Sequence, residues 1–330
     1  MRGTMIRKSL RTKPSLLTLF LLFFASVALL YADTLAKTTY PSTADDSMQP
    51  AIYFAPKTND PVPLVVGLHS WSYTYRTEKR YAPIAKWCIE NNWAYIQPDF
   101  RGQNNRPEAT ASELVVQDIL DAVTHAKTHA NINEEEIFIF GFSGGGMAAL
   151  LMAGRHPELW AGVSAWVPIV DLAQWHGEAP RRYKRDMEAS CGGPPGATYE
   201  VDKEYRNRSP ITYLGNARSI PVYISAGILD GHGGRSVPIS HSFRAFNELA
   251  DSANQITEED IHHFVQNATV PLHLQEDISN PLYGENKPLF TRGSHNVTLT
   301  IFDGGHEIIT DAVMPWFESI RSTRLLSRIE

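Results

Sequence analysis

Six short apolar runs dominate the chain: PLVVGLH (63–69), AYIQPDF (94–100), EIFIFGF (136–142), AGVSAWVP (161–168), PVYISAG (221–227) and NVTLTIF (296–302). Most are continuous rather than alternating, which is how strands read when both faces of a sheet are covered, as in parallel sheets. Helical stretches lie between them at 81–92, 111–130 and 145–156. Strands alternating with helices predict an α/β chain built on a doubly wound, mostly parallel sheet. Two segments break this rhythm, at about 172–215 and about 252–294. Both are too long for simple connections, and the spacing predicts lid-like insertions over the strand ends that carry chemistry. The chain has no internal repeat.

Residues 1–32 read differently. Arg2, Arg7, Lys8, Arg11 and Lys13 make a basic start without an acid, and LLTLFLLFFASVALLYA (16–32) follows, closed by small residues. That is the layout of a cleavable secretory signal, and its apolar run is shorter than the ~20 residues of a spanning helix. The expectation is a signal peptide over 1–32, a single catalytic domain over 33–330, a secreted or periplasmic location, and no stable membrane insertion after signal removal. Five of the 30 basic residues fall in the signal and none of the 36 acidic ones, so the remainder is more acidic than the formal −6 of the whole chain. Such a balance argues against a nucleic-acid partner, which calls for a basic face. Cys88 and Cys191, the only cysteines, make no disulfide framework and exclude a four-cysteine zinc site. Cys88, beside Trp87 in an expected core helix, reads as a buried free thiol.

The third apolar run passes through Gly141-Phe142-Ser143-Gly144-Gly145 into a helix of small residues. With glycine near 7% of residues, both glycines flank a given serine by chance about once in 200, so the pattern is weak alone. Strand before and helix after strengthen it, because a nucleophile held on a sharp strand-to-helix turn has room only for glycines around it. Gly144-Gly145-Gly146-Met147-Ala148-Ala149 also fits a dinucleotide fingerprint, but Asp171 lies too far on to be its ribose-binding acid. Partners for a serine decide between the two. Asp230 follows the run at 221–227 and His306 follows the run at 296–302, each in a glycine loop, in the order serine, acid, histidine. In that arrangement Ser143 attacks a carbonyl, His306 carries its proton and Asp230 orients His306.

Rival assignments are weaker. Asp303 is too close in sequence to reach the imidazole of His306, and His295 precedes the last strand. His262 and His263 are adjacent on an expected helix and make a poor metal pair, and no H-E-x-x-H occurs, so neither a metal nor a cofactor is expected. The N–H of Gly144 is the first oxyanion donor, and Ser70 or Trp71, in GLHSWSYTYR, supplies the second. Trp71, Tyr73 and Trp175 are the expected substrate-binding aromatics. Arg181, Arg182, Lys184 and Arg185 read as a solvated face, or as recognition of an anionic substrate group.

With those residues in place, the chain resembles the α/β-hydrolase catalytic domain of the prolyl oligopeptidase family and its secreted esterase-like relatives, including acetylxylan esterases. The resemblance is carried by PDFRGQNNRPEATASELVVQDILDAV (98–123), GFSGGGMAALL (141–151), YRNRSPITYL (205–214) and DGGHEI (303–308), and covers about residues 50–320. It implies an α/β-hydrolase fold and an active-site edge shaped by the DFRG and RNRSP stretches. Peptidases of the family carry a large N-terminal propeller, whereas only residues 33–62 stand between the signal and the first apolar run here. Asp230 is also separated from the following Val-Pro by six residues, more than the family spacing. The expected function is therefore hydrolysis of a carboxylic ester through a Ser143 acyl-enzyme, with an acylated carbohydrate as a candidate substrate. A serine peptidase stands second. A dinucleotide-dependent oxidoreductase and a non-catalytic binding protein on the same scaffold stand behind them. The partner is a small-molecule, carbohydrate or peptide substrate.

Overall fold

The structure, a computed structural model, describes residues 35–234 and 237–326; the expected signal at 1–32 lies outside them. From Lys37 onward the described chain forms one compact unit. Among the described residues nine strands make a single sheet: β1 (Ala36–Pro41), β2 (Met48–Phe54), β3 (Val62–Leu68), β4 (Ala94–Pro98), β5 (Ile132–Phe142), β6 (Gly162–Trp166), β7 (Val222–Gly227), β8 (Pro288–Ser294) and β9 (Val297–Phe302). Their order is β1-β2-β4-β3-β5-β6-β7-β9-β8. The six strands from β4 through β3, β5, β6 and β7 to β9 run parallel, while β2 and β8 pair antiparallel with β4 and β9. Every residue of β3, β4, β6 and β7 is buried, which is why those runs lack alternation.

The helices of the core are α1 (Ala82–Glu90), α2 (Glu113–His129), α3 (Gly144–Arg155), α7 (Ser240–Leu249) and α9 (Thr310–Leu326); between α3 and α7 lie α4 (Leu172–Glu178), α5 (Arg181–Cys191) and α6 (Tyr199–Asn207), and between α7 and α9 lies α8 (Glu258–Asn267). Buried Leu150, Leu151 and Met152 set α3 into the core. Ser112 caps α2 by accepting from the Val115 amide, which satisfies one of the free N–H groups of its first turn.

The two long segments take different places. Residues 172–215 form the three helices α4–α6, and α5 reaches the strand ends through Trp71 Nε1, which donates to Asp186 at 3.1 Å. His241 on α7 pairs with Glu178 on α4 at 3.1 Å and accepts from the Val170 amide, pinning the base of the insertion. The segment 252–294 packs instead along the sheet edge, where Phe264 of α8 meets Phe243 and Phe290. It ends in β8, an edge strand that the sequence reading absorbed into the insertion. Cys88 and Cys191 are both buried free thiols. Among the described residues no helix is long and apolar enough to cross a membrane.

Candidate active site

Ser143 stands between β5 and α3 with φ 57° and ψ −118°, a strained conformation for a side-chain-bearing residue. Its amide donates to Trp166 O at 2.8 Å, and its own carbonyl accepts from Met147, so the turn is locked at both ends. The flanking glycines are required by contact. A Cβ at 141 would lie 2.1 Å from Gly145 O, and one at 145 would lie 1.9 Å from Leu68 O. Tyr81 ties the neighbouring strand ends together, donating to Leu68 O while accepting from the Phe142 amide.

The loops after β7 and β9 are zipped to one another. Ile228 N donates to Phe302 O and Leu229 N to Gly304 O. A Cβ at Gly227 would lie 2.3 Å from Gly305 O, so the β7 side of this approach has room only for glycine. The zipper brings Asp230 and His306 face to face. His306 Nδ1 lies 3.0 Å from each oxygen of Asp230, and His306 Nε2 lies 2.9 Å from Ser143 Oγ. Asp230 is 1% exposed, so solvent does not compete for its carboxylate. The extra residues after Asp230 leave its position intact: Gly231 (φ +83°) turns so tightly that a Cβ there would sit 2.6 Å from Pro238 Cα. The rival residues are elsewhere. Asp303 is exposed, and His295 pairs with Asp251 at the other end of β9.

Around the nucleophile the structure separates the oxyanion candidates. The Ser70 amide donates to Glu78 Oε2 at 3.1 Å, so it is already committed within the protein. The Trp71 amide instead abuts Gly144, where an added Cβ would come within 2.6 Å of its nitrogen. The amides of Gly144 and Trp71 donate to no protein acceptor among the described residues. The Trp71 loop is clamped from behind: Asn104 N donates to Trp71 O at 2.9 Å and Gln103 Nε2 to Ser72 O at 2.6 Å. Arg101, from DFRG, supports that clamp indirectly through Asp118 and Asp45. Arg208, from RNRSP, holds the carbonyls of Pro107, Ala109 and Thr110.

A cleft of about 210 Å³ opens over Ser143 and His306. Trp71 and Tyr73 line it as expected, whereas Trp175 does not. Trp175 is 1% exposed and packs edge-on to Trp71 at 4.8 Å, buttressing the wall from behind. Sequence reasoning missed the other wall residues, Ser72, Arg80, Phe142 and Tyr183. Arg80 lies over the rings of Tyr73 and Phe142, 4.6 Å from each centroid, and its Nε donates to Glu78. Burial of that guanidinium works against its charge, but Glu78 and the Tyr73 phenol outweigh this and raise its pKa. Of the basic cluster on α5, Arg182 reaches the cleft rim by donating to Ser72 Oγ at 3.2 Å, and Lys184 donates to Gly177 O. Asp171, weighed as a nucleotide-binding acid, caps α4 by accepting from the Gln174 amide. Among the described residues no group of three or more His, Cys, Asp or Glu is arranged around a metal site. A larger hollow of about 590 Å³, beside Trp160 and Arg324, lies at the opposite end of the strands and holds none of the three residues.

Chemically, a hydroxyl on a strained turn, an imidazole with one nitrogen on it and the other on a buried carboxylate, and two free amides beside the hydroxyl make an acyl-transfer site. Comparison with known proteins agrees in kind. Residues 80–278 match the prolyl oligopeptidase family; Ser143 and Asp230 fall inside that span and His306 beyond it. An uncharacterized peptidase of Bacillus subtilis, YtmA, is 28% identical over 145 residues, 44% of this chain and 49% of the relative. Among solved structures, Pyrococcus horikoshii acylaminoacyl peptidase superposes with a TM-score of 0.56 at 14% identity, covering 86% of this chain and 39% of that one. A puromycin-hydrolyzing peptidase of Mycobacterium tuberculosis gives 0.57 at 14% identity, over 87% and 37%. The matched region thus spans about half the length of the curated relative, and less of these two structures.

Proposed function

We propose that this chain, which belongs to the prolyl oligopeptidase family, is a serine peptidase that cleaves a peptide bond through a Ser143 acyl-enzyme. The observation that carries the reading is the continuous line from Ser143 Oγ through His306 to both oxygens of buried Asp230. Ser143 Oγ attacks the scissile carbonyl while His306 Nε2 takes its proton, and the Asp230 carboxylate stabilises the imidazolium that forms. The carbonyl oxygen, now negative, is met by the amides of Gly144 and Trp71. His306 returns the proton to the departing amine, and a water molecule repeats the sequence to release the acid and free Ser143.

The carboxylic ester that leads the sequence reading yields first place to the peptide, because membership of a peptidase family supports the alternative over it. A carbohydrate acyl group has no separate support. Turnover of aminoacyl p-nitroanilides against p-nitrophenyl acetate tests the choice, with fluorophosphonate labelling of wild type and Ser143→Ala as control. Amide cleavage that disappears in Ser143→Ala supports the peptidase, whereas ester turnover without any amide cleavage restores the ester reading. Export is part of the same proposal, supported by the basic start and apolar run of residues 1–32. Fractionation of cells making the full chain, with mass spectrometry of the mature N-terminus, tests it. Intact protein beginning at residue 1 in the cytosol would refute it.

A further inference from the structure

We propose that Arg80 is a specificity-determining residue that selects substrates bearing a carboxylate next to the scissile bond. The inference rests on the serine-hydrolase reading above and names the substrate class of the same cleft.

Among the described residues, Arg80 is the one guanidinium lining the cleft and no acidic side chain lines it. The short 3-10 turn Lys79–Tyr81 places it directly before α1. Two rings and one acid fix its position. The guanidinium lies over Phe142, whose ring is itself 4.9 Å from that of His306, so the cation stands one ring away from the catalytic imidazole. The Tyr73 ring lies at the same distance, 4.6 Å from the guanidinium carbon to its centroid. Rigid, ring-stacked arginine presents its planar fork at little entropic cost, and that fork matches a carboxylate bidentately.

The guanidinium is not used up by the protein. Of its five N–H donors, only Nε–H donates to an acid, Glu78 Oε1 at 2.9 Å. Glu78 itself is fully buried and also accepts from Ser70 N and Ser70 Oγ, so its carboxylate is directed into the loop beneath the cleft. The Arg80 side chain keeps 37% of its surface exposed at the cavity wall. A second cation approaches the same opening, since Arg182 donates to the cleft-lining Ser72. A cleft whose acid faces inward and whose cations face the substrate favours an anion beside the reacting carbonyl. A bidentate carboxylate on such a fork gives a preference of about 10- to 100-fold over its neutral isostere.

The carboxylate can lie on the acyl side, as an acidic side chain, or on the leaving side, as a free C-terminus. Two matched pairs of probes distinguish these sources. For the acyl side, rates of Ser143 phosphonylation are compared for the diphenyl phosphonate analogues of N-acetyl-glutamate and N-acetyl-glutamine residues. For the leaving side, short peptides with a free or an amidated C-terminus are compared for protection of Ser143 against a small fluorophosphonate. Both readouts need only the nucleophile, so they report on Arg80 whether peptides or esters are turned over. That choice is decided separately by the amide-against-ester comparison.

The expected result is a 10- to 100-fold preference for the carboxylate member of one pair in the wild type. It collapses to within about threefold in Arg80→Gln, is partly restored in Arg80→Lys, and weakens with added salt. Equal values for both members of both pairs in the wild type would overturn the proposal. So would an unchanged ratio in Arg80→Gln, since a purely structural arginine lowers both members together. Failure of both phosphonates and both peptides to engage Ser143, while the small fluorophosphonate still labels it, overturns it as well.

Discussion

Replacing Gly144 by alanine adds one methyl group where the nucleophile turn meets the loop after β3. That carbon would lie 2.6 Å from Trp71 N, 2.8 Å from Trp71 Cα and 3.1 Å from Trp71 Cβ. Ordinary contact begins near 3.4 Å, so the Trp71 backbone must retreat by about 1 Å. It cannot retreat freely, because Glu78, Asn104, Gln103 and Asp186 hold Ser70 through Ser72 from the other side. The remaining escape carries the Trp71 amide away from the site above Ser143, and an oxyanion donor is lost. Removing one such donor lowers kcat by about 10²–10³-fold, while the overpacking itself lowers stability by about 1–3 kcal/mol. Gly154→Ala is the matched control. Its Cβ would meet Tyr213 C at 2.6 Å and Tyr213 O at 2.7 Å, a similar backbone clash away from the cleft. Measured together, kcat on a chromogenic substrate and Tm separate the two effects: both variants lose stability, and only Gly144→Ala loses turnover in its folded fraction. A folded Gly144→Ala with kcat within about threefold of wild type would refute the assignment of Trp71. Gly154→Ala losing turnover equally would refute the local mechanism.

Asp230→Asn replaces the acceptor of His306 Nδ1–H with an amide of the same shape; kcat should fall by about 10⁴-fold with Tm little changed, and a loss under tenfold would remove Asp230 from the triad. Glu78→Gln keeps the packing but weakens the hold on Ser70 and Arg80. We expect kcat to fall by about tenfold or more, a charge-assisted bond being worth about 1.5–3 kcal/mol, and an unchanged kcat would show that the loop is rigid without it. For pH, burial pushes the Cys191 thiol up to about 12 from an ordinary value of 9.0. The folded state therefore keeps a proton that the unfolded chain gives up. Its stabilising contribution is complete below about pH 9 and is lost as pH rises towards 12, at no more than about 1.4 kcal/mol per pH unit. Urea midpoints from pH 8.5 to 10.5 should fall less steeply in Cys191→Ser than in the wild type, and identical slopes would refute the effect.

Burial decided what could be read along the chain. The six parallel strands are covered on both faces, so they stand out as continuous apolar runs. The strands that escaped notice, β1, β2 and β8, lie at the two margins of the sheet. In β2 buried positions alternate with partly exposed ones, and a seven-residue segment of that kind, containing Pro50, resembles a polar connection. Ser143, Asp230 and His306 were legible because the fold allows them only one chain order, each after a buried strand. Assignments resting on tertiary contact fared differently. Choosing Trp71 over Ser70 needed the knowledge that Glu78, eight residues on, takes the Ser70 amide. Trp175 has the composition of a cleft aromatic, but its position behind Trp71 depends on how α4 and α5 fold back. Arg80 carries one faint signal, a basic residue soon after the oxyanion loop. In sequence it is indistinguishable from Lys79 beside it.

Chemistry and selectivity occupy different parts of the molecule, and this division bears on how the enzyme can change. Ser143, Asp230 and His306 sit on turns locked by glycines whose Cβ atoms would strike backbone at 1.9–2.3 Å at Gly141, Gly145 and Gly227. Backbone cannot yield as a flexible side chain can, so these turns tolerate almost no variation. The walls are made by the loop 70–80 and by α5, whose contributions are side chains: Tyr73, Arg80, Tyr183 and the rim contact of Arg182. Substitutions there alter what is held beside the carbonyl without disturbing the line from Ser143 to Asp230. Glu78 is the exception, because the same carboxylate supports Arg80 on the wall and Ser70 beneath the oxyanion amide. A change at Arg80 therefore leaves a buried acid short of a donor next to the catalytic loop. Selection for a new substrate at that position must either keep a cation or remove Glu78 with it, and the two substitutions should be non-additive.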